Sequence, residues 1–488
     1  MADDMAGQVG DAEQLRARLG PDLVLTGEAV LPYCRDWHGD VQGQALAVLR
    51  PRSTSEAQDC MRAAAALKLR VVPQGGNTGL VLGALPEDGA AEVVISLERM
   101  TRIRSLDADN FSAVVEAGAV LEQVMAAAEA EGLFFPLTLG AQGSCRIGGN
   151  VSTNAGGVNV LRYGMTRELV LGLEVVLPDG QLFEGLSLLR KDNRGIDLKQ
   201  LFIGAEGTLG LVTAVALKLL PRPEQVATAL VALDGLEEVI ALYRQARRDC
   251  CDLMSAFEFM PPLAIELACE AMPDLRPPLD AAHPAYALIE ISGSGLVDID
   301  DLMTRFLEGA LMSGLARDGV VAQSRAQAAG LWAIREGMNL GQAMRGRHLR
   351  TDVSVPLSRL ATFVAEAEAA VAAELPGCTC VSYGHVGDGN VHLNVLPDYG
   401  LGPDMIVPQI LKAKKIVNEV LDRHAGSISA EHGIGRLKKP EFEARLPPVQ
   451  RELLTRIKTA LDPAGMMNPG CQMDHPAEAA HHAPLAEN

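Results

Sequence analysis

A chain of 488 residues with 48% hydrophobic and 22% charged side chains has the composition of a globular protein, long enough for roughly two to four domains. Its net charge of −19 argues against a nucleic-acid partner, because phosphate backbones are held by basic faces, but leaves room for a small pocket that is locally positive. No apolar run reaches the roughly 18 residues of a membrane span, and the acidic start MADDMAGQVGDAEQ resembles neither a secretory signal nor a transit peptide, so a cytoplasmic protein without a transmembrane segment is expected, one still able to attach to a membrane partner.

Residues 1–41 read as an N-terminal arm. From residue 42 helices and strands alternate. AQDCMRAAAAL at 57–67 is helical in period, LRVVP at 69–73 is a short apolar strand, and QGGNTGLVLGA is the loop after it. EVVISLERM at 92–100 and SAVVEAGAV at 112–120 read as strands and LEQVMAAAEAEGL at 121–133 as a helix, the pattern of an α/β region. The stretch 136–180 opens dense in Gly, Ser, Thr and Asn and closes in an apolar strand, and the region ends at a proline-flanked boundary near 222. Beyond it, 223–424 reads as a domain with an antiparallel sheet and helices, with strand, turn and helix at 226–247, a strand at 286–294 and helices at 297–314 and 408–424. Residues 425–473 form a glycine-rich C-terminal segment, and 474–488 lack any apolar pattern and are expected to be disordered. The nine cysteines, an odd number, read as reduced thiols. Cys250 with Cys251 and Cys378 with Cys380 lack zinc-knuckle spacing and read as small buried side chains.

Three glycine loops carry the first functional signal. PQGGNTGL, Pro73 to Leu80, follows an apolar strand, and its successive backbone amides can form an anion nest. It matches neither the dinucleotide fingerprint nor a phosphate-binding P-loop. GGNVSTNAGG at 148–157 and IGAEGTLGLVT at 203–213 add further donors, and three such loops in one region suit a large, polyphosphorylated cofactor.

The second signal is YGHVGDGNVHLNV at 383–395. If 379–385 and 391–396 are paired strands, VGDGN is the turn between them and His385 and His392 can converge, with Asn394 on the face of His392. Glu431 of SAEHG is the available carboxylate. Two readings stay open from the residues alone: an open site for a divalent ion, or hydrogen-bonded structural histidines.

The motifs PQGGNTGL, GGNVSTNAGG, RYGMTRELVLGLEVVLPDG and FIGAEGTLGLVT resemble the FAD-binding domain of the vanillyl-alcohol oxidase superfamily. GHVGDGNVHLNV, SAEHGIGRLKK and MNPG resemble its D-2-hydroxyacid dehydrogenase branch, which holds D-2-hydroxyglutarate and D-lactate dehydrogenases. The resemblance runs in order from about residue 42 to 472. It implies an α+β protein, with an FAD-binding domain of two α/β subdomains at 42–222 and a substrate domain at 223–424 whose antiparallel sheet is flanked by helices. It further implies that the FAD pyrophosphate sits on the amides of Gly75, Gly76, Asn77 and Thr78, with Gly79 and Leu80 adjoining and Pro73 and Gln74 also at the cofactor. Pro136, Leu137, Gly140, Gly143, Gly148, Gly149, Asn150, Ser152, Thr153 and Gly156 would line the rest, Gly207 and Val212 would approach the adenosine end, and Asn468 would reach the isoalloxazine. Asn77 stands where some relatives carry a histidine bonded to FAD, so a non-covalent cofactor is expected; Leu82 stands where relatives often have glycine.

By the same resemblance His385, His392 and Glu431 ligate the ion, the expected metal being Zn2+ with Mn2+ as the alternative, and the ion holds the substrate's 2-hydroxyl and carboxylate. His432 would be the general base that takes the hydroxyl proton while hydride passes to flavin N5, a role suited to imidazole. Arg335 and Asn339, four apart on a helix, and Arg350 complete the substrate set with Asn394. A second basic group at Arg350 matches the 2-hydroxyglutarate type and has a purpose only if the substrate has a second carboxylate. The expected reaction is oxidation of a D-2-hydroxyacid to the 2-oxoacid, D-2-hydroxyglutarate first, with D-lactate or D-malate as the alternative and a non-catalytic FAD subunit as the rival of another class. The expected electron acceptor is an electron-transfer flavoprotein or a quinone, and a homodimer is left open.

Overall fold

The computed structural model describes residues 2–87, 91–473 and 475. The tail 474–488, read above as disordered, lies outside the described residues apart from His475. The chain forms two compact units, one of Met1–Gly156, Met165–Arg222 and Glu431–Asn488, the other of Gly157–Gly164 and Pro223–Ala430. The sequence placed a break at residue 424; here it falls at Ala430. Gly157–Gly164 leaves the expected FAD-binding span for the second unit because Arg162 donates to the carbonyl and hydroxyl of Ser292 at 2.7 and 2.6 Å.

The first unit contains two main sheets. In the smaller, Glu92–Ser96 pairs in parallel with both Ala47–Leu49 and Arg70–Gln74, and its residues are buried throughout, as a strand covered on both faces requires. The helix Thr54–Ala66 starts at Ser53, whose hydroxyl accepts from Glu56 N–H, and turns Ala57, Cys60, Met61 and Ala64 inward at helical spacing. The segment read as an arm belongs to this sheet: Val24–Leu25 pairs with Ala47–Leu49, and Val30 and Cys34, four apart, pack on Val48, Val72 and Val94. The second sheet is antiparallel, in the order Ile103–Asp107, Ser112–Glu116, Leu211–Lys218, Val170–Val176, Leu182–Gly185.

The second unit is built on an antiparallel sheet in the order Met254–Met260, Ala285–Gly293, Gln225–Leu233, Asp318–Val321. The helix Leu236–Asp249 buries Leu236, Val239, Leu242, Tyr243 and Ala246, with acidic residues in its first turn and Arg247 and Arg248 in its last, both favourable to the helix dipole. The helix Arg325–Arg345 is capped by Ser324 and lies close on Pro262–Ala271, because a Cβ at Gly341 would run into Leu267 O. A three-stranded sheet, Val353–Ser354, Asn390–Leu396 and Thr379–Tyr383, carries the histidine hairpin. It is tied to the larger sheet where Phe259 and Gly384 exchange backbone hydrogen bonds of 2.8 and 3.1 Å.

One buried ion pair closes the C-terminal segment of the first unit. Lys458, fully buried, donates to Asp462 Oδ2 and Met467 O at 2.7 Å and to Thr208 O at 2.9 Å, while Asp462 accepts from the amides of Met466 and Met467. Lys458→Met would leave Asp462 buried and uncompensated, so a loss of about 3–5 kcal/mol is expected in urea unfolding. A loss under about 1 kcal/mol, the range of an exposed pair, would contradict this account.

Candidate functional site

Three loops remote in sequence meet in the first unit. Gln74 anchors the first: its buried amide donates to the carbonyls of Tyr33 and Ala84, each at 2.9 Å. A Cβ on Gly76 would run into Ser144 O, so the first loop rests on the segment before the second only as glycine, whereas a Cβ on Gly75 would meet Gly149 at an ordinary 3.4 Å. The third loop closes on both. Gly204 and Glu206 donate their amides to Val151 O and Ser152 O at 3.0 and 2.8 Å, and Gly207, at φ +72°, leaves only 2.8 Å between a would-be Cβ and Pro73 Cγ. By contrast a Cβ on Gly79, Gly140 or Gly149 would meet nothing within 4 Å. Tight packing at some glycines and open space at others is the form of a backbone cradle for a long phosphorylated ligand, and the residues fit FAD.

The other expected cofactor residues divide. Thr78, Leu80 and Gly143 are at least partly exposed, whereas Pro136, Leu137, Gly148, Asn150 and Gly156 are buried. Asn77, at φ +53°, donates its amide to Arg35 O at 2.7 Å, and Thr153 donates to Gly149 O at 3.1 Å. Val212 is a core residue in register with Val175. The side chains of two further expected residues are engaged within the protein. That of Gln74 holds the loop, and the Asn468 amide donates to Gly83 O and Glu206 O at 2.8 and 2.6 Å while its oxygen accepts from Arg436. Asn468 fastens the C-terminal segment, together with Glu206, whose two carboxylate oxygens accept from the amides of Ile434 and Gly435 at 2.7 and 2.6 Å. Burial pushes the Glu206 carboxyl up, against the pull of these amides.

In the second unit the hairpin pairs Tyr383 with His392, and the strand ends there; Val386–Asp388 forms a 3-10 turn. His385 therefore lies beyond the strand rather than ending it, and its ring meets that of His392 edge-on at 5.8 Å between centroids. His392 Nδ1 lies 3.2 Å from Thr351 O, and His385 Nδ1 lies 2.6 Å from Glu258 Oε1. With both Nδ1 atoms so held, Nε2 is the nitrogen each ring would turn to an ion. Glu431 follows Ala430, whose amide donates to Asp352 O at 3.2 Å. His385, His392 and Glu431 each offer a ligand atom, and these lie within 4.8 Å of one another. Asp352, Glu431 and His432 form a second such group. Two imidazoles and a carboxylate suit zinc or a similar divalent ion with positions left for substrate.

The expected substrate residues are distributed unevenly. Arg335 is buried; its Nε donates to Glu258 Oε2 at 2.7 Å and its guanidinium lies 5.1 Å from the centre of the Tyr383 ring. Asn339 accepts from the Tyr383 hydroxyl. Asn394 shares the face of His392 as expected, but its oxygen accepts from Thr351 N–H and its amide donates to Gln342, both at 2.9 Å, so it acts as a structural tie. Arg350 is exposed, and its Nε donates to His348 Nε2 at 3.5 Å. His348 Nδ1 lies 2.9 Å from Gly346 O, and burial pushes the ring's pKa down, which keeps Nε2 an acceptor for Arg350.

Sequence reasoning missed Glu258, Asp352 and His348. Glu258 is 1% exposed inside the apolar strand MSAFEFM, and a lone acid in such a run was the available signal, since a buried carboxylate requires partners. Burial would push its carboxyl up; the charges and hydrogen bonds of His385 and Arg335 outweigh that and hold it at about 2.

The family model for the C-terminal domain of FAD-linked oxidases matches residues 222–471, and one for an FAD binding domain matches 45–185. A mitochondrial D-2-hydroxyglutarate dehydrogenase of Bos taurus is 40% identical over 93% of this chain and 81% of its own length. A D-2-hydroxyglutarate–pyruvate transhydrogenase of Saccharomyces cerevisiae is 36% identical over 95% of this chain and 94% of its own. In fold, the chain is similar to a p-cresol methylhydroxylase, with a TM-score of 0.74 and 16% identity over 96% of this chain and 97% of that one. No helix among the described residues is long and apolar enough to cross a membrane.

Were His385, His392 and Glu431 to hold an ion, losing one of the three should cost more affinity than losing an outer partner. His392→Ala is expected to lower zinc affinity by more than about 100-fold in competition with a chromophoric chelator. Unchanged affinity would refute the assignment.

Proposed function

The chain belongs to the FAD-linked oxidases, in the group that holds the D-2-hydroxyglutarate dehydrogenases, and from that premise we propose that it oxidises a D-2-hydroxy dicarboxylate to the 2-oxoacid, D-2-hydroxyglutarate ahead of D-malate. FAD is bound without a covalent link, and zinc, with manganese as the alternative, is held by His385, His392 and Glu431. The observation that carries this reading is the approach of those three ligand atoms to within 4.8 Å, with Glu258 joining His385 to Arg335.

Bound FAD supplies the acceptor for the hydride leaving C2, and the ion lowers the pKa of the hydroxyl it holds. The remaining work falls to this chain. His432 takes the hydroxyl proton at a ring nitrogen. Arg335, its plane fixed by Glu258, offers two parallel donors to the carboxylate next to the hydroxyl. Arg350, steered by neutral His348, meets the far carboxylate. Asn77, which keeps its amide on Arg35 O, offers no nucleophile for a covalent flavin link.

Anaerobic mixing with a panel of D-2-hydroxyacids tests the reading. D-2-hydroxyglutarate should bleach the flavin, and a chelator should suppress the bleaching. An unbleached spectrum with every acid would favour the non-catalytic subunit. Arg350→Ala should lower kcat/KM for dicarboxylates roughly 10- to 100-fold, the worth of a charge-assisted hydrogen bond, and leave D-lactate turnover unchanged; equal losses on both would remove Arg350 from the substrate site. For the acceptor, an electron-transfer flavoprotein or quinone is set against pyruvate, which the name of the yeast relative pairs with D-2-hydroxyglutarate.

A further inference from the structure

We propose that Glu258 is a positioning residue that fixes a metal ligand and the substrate arginine together. This rests on reading His385, His392 and Glu431 as a metal site. Glu258 lies in the middle of Met254–Met260, a strand buried along its whole length, between Phe257 and Phe259. A carboxylate there is costly unless both oxygens are matched. Each oxygen has its own partner: Oε1 lies 2.6 Å from His385 Nδ1, and Oε2 accepts from Arg335 Nε at 2.7 Å. The spacing is set by backbone, because the adjoining residues Phe259 and Gly384 exchange two hydrogen bonds.

A structural ion pair would need only Arg335. The second bond goes to the ring nitrogen opposite the one that would face the ion. A carboxylate at that place draws the proton onto Nδ1, leaves the Nε2 lone pair for the metal, fixes the ring plane and makes the ligand more basic. His392 has a neutral carbonyl, Thr351 O, in the same position at 3.2 Å. His385 is therefore the stronger of the two imidazole ligands. Because the same carboxylate sets the plane of Arg335, the spacing between the His385 ring and the guanidinium is fixed before substrate arrives.

The test compares two variants that each break one side of the buried trio, using the FAD-loaded full chain and zinc titrated against a chromophoric chelator. Glu258→Gln is close in shape and should bind zinc about 10- to 100-fold more weakly, while Arg335→Met should stay within about threefold of wild type. FAD content and unfolding midpoint are followed in both, and Arg335→Lys replaces Arg335→Met if the latter does not fold. Equal weakening in both variants marks a structural trio and overturns the proposal. Wild-type affinity in Glu258→Gln, with His392→Ala still weakened, overturns it and leaves the metal reading standing. No difference between wild type and His392→Ala overturns both. Should Glu258→Gln not fold, histidine 15N spectra of the zinc-loaded wild type decide: a proton on His385 Nδ1 supports the proposal, and zinc on Nδ1 overturns it.

Discussion

A carboxylate buried in an otherwise apolar strand dominates the chemistry of the second unit. Glu258 cannot be there as an isolated anion, because desolvation would protonate it or unfold its surroundings. It is there because a guanidinium and an imidazole close on its two oxygens, and the combined field holds it ionised. Everything attached to those partners inherits their positions. The Arg325–Arg345 helix must bring Arg335 over the strand, which it does by lying close on its neighbour at Gly341. Around Arg335, Tyr383 stacks beneath the guanidinium and links to Asn339 and Asn394, so the hairpin and the helix share one polar core.

The first unit solves a different problem with different means. Its loops carry few large side chains, and their precision comes from backbone packed on backbone or on a rigid ring. Gly76 against the Ser144 carbonyl and Gly207 against the Pro73 ring are approaches that any Cβ would crowd. Such a surface presents amides at fixed positions with little side-chain entropy to lose on binding. Leu82, at φ +61°, has a left-handed backbone in the same region, a conformation that glycine adopts without strain.

What was legible in the sequence was whatever rests on local pattern. Glycine loops after apolar strands, the period of the helices, and two histidines around a turn could each be read from neighbouring residues. The alternation that put Asn394 on the face of His392 held, yet which donors and acceptors occupy that face depends on Thr351 and Gln342, 43 and 52 residues away. Glu258 and His385 are 127 residues apart and Arg162 and Ser292 are 130, and no periodicity in either stretch marks the partnership. The end of the hairpin strand at Tyr383 was equally hidden, since it follows from the bridge between Gly384 and Phe259 rather than from the composition of the turn.

The fastening of Glu206 to Ile434 and Gly435 joins residues 228 and 229 positions apart. On the ribosome the chain emerges from its N-terminus, so the loops that shape the FAD cradle appear long before the segment that buttresses them. Pro223–Ala430, which supplies most of the second unit, is complete before Glu431 is made. That span can begin to organise while the nucleotide-holding part is still missing its final piece. A closure across so long a stretch is slow compared with local pairing. The nascent protein thus passes through a period in which its glycine loops lack their last support, and truncation by a few dozen residues at the end would be felt by segments translated first.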